Sequence, residues 1–74
     1  MGWKSVPQPE GLISVLLDRD REYGDRHDAA MDLSMYGGEA VEAALMQVAL
    51  DETEDPDLIE ECEQSLLEVR RTKQ

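Results

Sequence analysis

Apolar positions along this chain recur at the three- and four-residue intervals of α-helices, in four blocks separated by glycine, proline or charged breaks. The clearest block is GGEAVEAALMQVAL, residues 37–50. There Val41, Ala44, Leu45 and Val48 stand at i, i+3, i+4 and i+7, and no charged residue occurs from Ala43 to Leu50. Ala40, Ala43, Met46 and Ala49 soften the remaining surface, so the pattern predicts a central helix packed on more than one side.

The other blocks fall on either side of it. Leu12, Ile13, Leu16 and Leu17, with Val15 beside them, predict a first helix over residues 10–23. Its last turn is the solvated DRDRE, and Gly24 is placed beyond its end, where positive φ is expected. Asp25 then reads as the N-cap of a second helix over 26–36, with Ala29, Ala30, Leu33 and Tyr36 facing inwards. Gly37 and Gly38 close it with a tight turn. Asp55-Pro56 opens a fourth helix that runs to Arg71, an N-cap carboxylate followed by proline at the first helical position. Leu58, Ile59, Cys62, Leu66 and Val69 form its inward stripe, with Leu67 close by. Acids in its first turns and Arg70, Arg71 and Lys73 at its end suit the helix dipole. Residues 1–10, with Pro7, Pro9 and a lone Trp3, read as an irregular leader; residues 11–74 form one all-α domain.

The first two helices look like the last two. DRHDAAMDL (25–33) aligns with LIEECEQSL (58–66), placing Ala29 on Cys62 and Leu33 on Leu66. Leu12, Val15 and Leu16 likewise fall on Val41, Ala44 and Leu45. Over residues 11–71 the chain thereby resembles the HEAT-like repeats in their short bacterial form. That resemblance implies two antiparallel helical hairpins stacked as a short α-solenoid, and a protein-interaction role without chemistry of its own.

Composition narrows the function further. In 74 residues there is no Phe, and the aromatics are Trp3, Tyr23 and Tyr36. So small and aliphatic a core leaves little room for a cofactor pocket of about 300 Å³ or more. Net charge is −11, with thirteen carboxylates and no Lys or Arg between His27 and Val69. Such a field repels nucleic acid and anionic membranes and attracts cationic surfaces, while also serving solubility.

Candidate chemistry is sparse. His27 lies among Asp25, Arg26 and Asp28 without a neighbouring nucleophile and reads as a surface residue. Cys62 is the only cysteine; its spacing is that of a core residue, and Glu60, Glu61 and Glu63 disfavour its thiolate. A single cysteine allows neither an internal disulfide nor a cysteine zinc cage, and fits a reducing, cytoplasmic setting. Residues 51–57 superficially look like a calcium loop but lack the turn glycine and carry Pro56 at the bend. No apolar run approaches the roughly 18 residues of a membrane span, and the start has no apolar signal core. We therefore expect no catalytic residues, metal or cofactor.

What remains is acidic recognition. Glu39 and Glu42 open the third helix; Asp51, Glu52, Glu54, Asp55 and Asp57 fill the following loop; Glu60 and Glu61 open the fourth helix. These nine form the expected partner-binding surface, in two lobes with the larger around 51–61. Met31, Met35 and Met46, with Tyr36, are either plain core or an adaptable apolar patch. The profile leads to a non-catalytic inhibitor, an immunity protein or antitoxin covering the basic active or nucleic-acid-binding cleft of a nuclease-like toxin. The alternative is a HEAT-like adaptor or assembly factor, with a homodimer completing the short solenoid.

Overall fold

A computed structural model describes residues 8–71. The described chain is all-helical, with four helices and no strand: α1 (Glu10–Leu17), α2 (Tyr23–Leu33), α3 (Glu39–Ala49) and α4 (Pro56–Arg71). Residues 1–7 of the expected leader, Trp3 among them, and Lys73 lie outside the described residues, while Glu10 already belongs to α1.

Two helix boundaries differ from expectation, for local polar reasons. α1 stops at Leu17 because Asp18 takes an extended conformation and its Oδ1 accepts the Asp20 N–H at 3.0 Å. A short acidic side chain that captures its own backbone competes with helix continuation. DRDRE is therefore a connection, tied by a 3.8 Å contact between Arg21 Nε and Asp18 Oδ2. Consequently Gly24 is not a helix terminator with positive φ; it lies inside α2, which begins at Tyr23, ahead of Asp25. α2 ends at Leu33, three residues early, and Tyr36 sits in a turn before Gly37 and Gly38. Those two glycines take φ of 73° and 98°, which side chains with a Cβ rarely adopt. At the other end of the domain α4 starts as anticipated, with Asp55 Oδ1 accepting the Asp57 N–H at 2.8 Å.

α1 packs on α2, α3 on α4, α2 on α4 and, more lightly, α1 on α3. Directions follow from the cross-links. Arg26 reaches the carbonyl of Leu16, and Arg70 lies 3.7 Å from Glu42, so each consecutive pair runs antiparallel. His27 meets Glu61 and Ser65 meets the Ala30 carbonyl, so α2 and α4 run parallel. The Cα extents of 36 × 29 × 15 Å match two helical layers, α1 with α3 and α2 with α4.

The core joins Leu12, Val15, Leu16, Ala29, Ala30, Leu33, Val41, Ala44, Leu45, Val48, Leu58, Cys62, Leu66 and Val69. Ile13 and Leu17 only flank it. Small residues bring α2 and α4 together: Ala29, Ala30, Cys62 and Ser65 are all buried, and Ser65 Oγ donates to the Ala30 carbonyl at 2.7 Å. α3 meets both α4 and, more lightly, α1, but mainly through one face, with Ala49 partly buried beside it. Ala40, Ala43 and Met46 face out, and only the Val41–Ala44–Leu45–Val48 face is buried. Leu67 also departs from expectation: at 54% exposure it lies on the outer side of α4.

Truncation separates these positions. Leu45→Ala, at a fully buried site, should cost about 2–5 kcal/mol in urea unfolding. Leu67→Ala should stay within roughly 0.5 kcal/mol of wild type.

Candidate functional site: an acidic surface held by a buried ion pair

The α1–α2 and α3–α4 connections lie at the same end of the fold, and a polar cluster joins them. At its centre is Arg26, 7% exposed, on the inward face of α2. Its Nη1 and Nη2 donate to Glu54 Oε1 and Oε2 at 3.0 and 2.7 Å, a two-pronged pair. Its Nε donates to the Leu16 carbonyl at 2.9 Å. That carbonyl is in the last turn of α1, where helical carbonyls lack internal partners and cations are favoured. Glu54 is itself only 8% exposed. No buried side-chain nitrogen or oxygen is left without a partner among the described residues. Burying two charges is tolerable only under those conditions.

A second arginine ties the outer side of the same cluster. Arg19 Nη1 donates to Asp51 Oδ2 at 3.0 Å and to Thr53 Oγ1 at 3.1 Å. Thr53 in turn donates from its N–H and Oγ1 to Asp51 Oδ1, at 2.9 and 2.6 Å. Bonds from Thr53 first, and then Arg19, hold the Asp51 carboxyl below the usual carboxylate range. The stabilisation from Asp51 is therefore complete above its ordinary value of 3.8 and is lost as pH falls through the lower folded value.

The nine predicted partner-binding acids consequently divide. Glu54 is buried, its carboxylate turned inward to Arg26 and not to solvent. Asp51 braces the loop, and Asp55 caps α4 while remaining exposed. Glu61 is half-buried, its Oε1 3.3 Å from His27 Nε2. Glu42 is half-buried beside Arg70. Glu39, Glu52, Asp57 and Glu60 face solvent. Glu39 and the 51–61 group stand at opposite ends of α3, whose eleven residues span about 16 Å.

Three further acids belong to the exposed surface. Asp25, Asp28 and Asp32 face solvent at i, i+3 and i+7 of α2, a spacing visible in the sequence once α2 is started at Tyr23. The arginines offer little neutralisation: Arg19, Arg21, Arg26, Arg70 and Arg71 each already have a carboxylate within ion-pair distance. Tyr23 lies against this field. Its hydroxyl pKa is raised by partial desolvation and then by Asp57, Asp55 and Glu61, and its ring centroid is 5.5 Å from that of His27.

His27 meets Glu61 through Nε2 at 3.3 Å and stacks at a tilt beside Tyr23. Cys62 is buried, and its thiol is pushed up to about 12 by desolvation first and then by Glu61, with Arg26 opposing. No group of three or more His, Cys, Asp or Glu suited to a metal occurs among the described residues, and no described helix is long and apolar enough to cross a membrane.

Two outcomes check this geometry. Arg26→Met should cost about 3–5 kcal/mol by taking from the buried Glu54 its two-pronged partner and leaving only Arg19, 3.8 Å away, near its carboxylate, and a second change, Glu54→Leu, should restore much of it. Both are read from urea midpoints. Cys62 should resist a thiol reagent at a rate set by unfolding, with no rise between pH 7 and 9. Its ordinary value is 9.0, so the stability held by its neutral thiol is intact below pH 9 and declines only as pH climbs towards about 12. A search of protein-family models, curated proteins and solved structures finds none that matches this chain.

Proposed function

We propose that this protein is a non-catalytic inhibitor that binds a basic protein, in the manner of an immunity protein or antitoxin. The observation that carries the reading is the exposed acidic surface formed by Glu52, Asp55, Asp57 and Glu60, backed by a loop braced from inside through Arg26 and Glu54. A rigid array of carboxylates is a preorganised counterpart for a cationic cleft. Less ordering is needed on binding, and the net field accelerates encounter. The carboxylates would occupy the positions that nucleic-acid phosphates take on a nuclease-like toxin.

A second reading has its own support. The parallel packing of α2 on α4, and of α1 on α3, is the relation between successive units in a HEAT-like stack. It favours an adaptor or assembly factor that scaffolds through its helical faces.

Charge reversal separates the two. Glu52→Lys, Asp57→Lys and Glu60→Lys together avoid the bracing and capping acids Asp51, Glu54 and Asp55. Wild type and this variant serve as baits in native lysate at low and high salt, with circular dichroism to confirm the helices. The inhibitor reading predicts one stoichiometric basic protein on wild type, retained at high salt and absent from the variant. Equal capture by both baits would contradict it and favour the adaptor.

A further inference from the structure

At the opposite end of the fold from the polar cluster, an open groove of about 270 Å³ runs between the start of α1 and the end of α2. Gln8, Leu12, Asp32, Met35 and Tyr36 line it. Leu12 forms the floor and belongs to the core. Met35 and Tyr36 form a wall, 82% and 49% exposed, on the turn that precedes Gly37. Gln8 fixes the mouth, its Oε1 accepting the Leu12 N–H at 3.1 Å.

The volume is below the roughly 300 Å³ at which small-molecule sites begin, and it suits one large side chain. The charge around it selects the source. Asp32 is the only charged lining residue, Asp28 is exposed one turn earlier on α2, and Glu39 follows three residues after Tyr36, within about 11 Å along the chain. A second copy of this chain brings net charge −11 to the same place and is repelled. We infer that the groove receives a single large apolar side chain from a basic segment of the partner protein, with Asp32 and Glu39 meeting the cations that flank it. An unbranched methionine wall adapts to whichever ring or branched chain enters. The inference rests on the reading of a basic partner and adds where, and by which side chain, that partner is anchored.

The test uses the full chain labelled with ¹⁵N and with ¹³C at the methionine methyls, titrated at low salt with two peptides, Lys-Arg-Phe-Arg-Lys and Lys-Arg-Ala-Arg-Lys. The phenylalanine peptide should bind roughly tenfold more tightly, the gain from burying one large apolar side chain. The Met35 methyl and the Tyr36 backbone amide should shift, while the methyls of Met31 and Met46 stay in place. Met35→Ser, at an exposed site that leaves the fold intact, should abolish the tenfold preference and leave the alanine peptide's affinity unchanged. Equal binding of the two peptides would overturn the groove while leaving the acidic-surface reading standing. So would a preference that survives Met35→Ser. Binding of neither peptide would remove both readings. A Met35 shift that depends on protein concentration alone would assign the groove to a second copy. A change in Trp3 emission on Met35→Ser, without peptide, would assign it to the chain's own start. Either result would overturn the proposal.

Discussion

One buried ion pair organises this small fold. Arg26 and Glu54 meet inside a domain whose core is otherwise small and aliphatic, and the guanidinium also closes the end of α1 through the Leu16 carbonyl. Three parts of the chain thus converge on one side chain: the last turn of α1, the first turn of α2 and the α3–α4 loop. A pair so enclosed adds less net stability than an apolar cluster of equal volume, yet it severely penalises any arrangement in which one partner is left alone. Its main contribution is specification. With the two hairpins docked otherwise, either charge would be stranded.

That specification bears on the surface. Loops are usually the least constrained parts of a small protein, and a loop carrying so many carboxylates would also repel itself. Here the loop is drawn inward by Glu54, braced by Thr53 and Arg19 on Asp51, and continued directly into α4 by the Asp55 cap. The acids that remain outside are therefore presented on a fixed frame. The parallel contact between α2 and α4 adds to it, because Ala29, Ala30, Cys62 and Ser65 leave no bulky side chain between the two helices. The binding reading depends on this order: small residues set the spacing, the buried pair sets the docking, and the loop then holds its charges outward.

Much of the framework was legible in the sequence. The face of α3 follows from Val41, Ala44, Leu45 and Val48, and the start of α4 from Asp55-Pro56, because periodicity and capping are local effects. What failed was set by competition or by distance. Asp18 captured the Asp20 backbone and ended α1 early, which moved the start of α2 from Arg26, with Asp25 as its cap, to Tyr23. In that corrected frame Arg26, Ala29, Ala30 and Leu33 occupy i, i+3, i+4 and i+7, so the arginine's inward position was readable from spacing. Glu54 was not readable. It sits in a loop with no period, among acids of the same type, and only the three-dimensional approach of α2 distinguishes it. The alanines of α3 misled for a related reason: an uncharged face resembles a buried one, but no neighbouring helix covers Ala40 or Ala43 among the described residues.

The central claim is that the Arg26–Glu54 pair holds the two connections, and with them the acidic surface, in place. Backbone amide hydrogen exchange on wild type and Glu54→Gln tests it most directly, since glutamine keeps the shape of the side chain and removes its charge. The account predicts that protection falls first and most at the two connections, including the Glu54 amide that donates to the Asp51 carbonyl at 3.1 Å, while Leu45 and Val48 in α3 keep theirs. Unchanged exchange in the 51–55 loop, or acceleration spread evenly over all four helices, would contradict it.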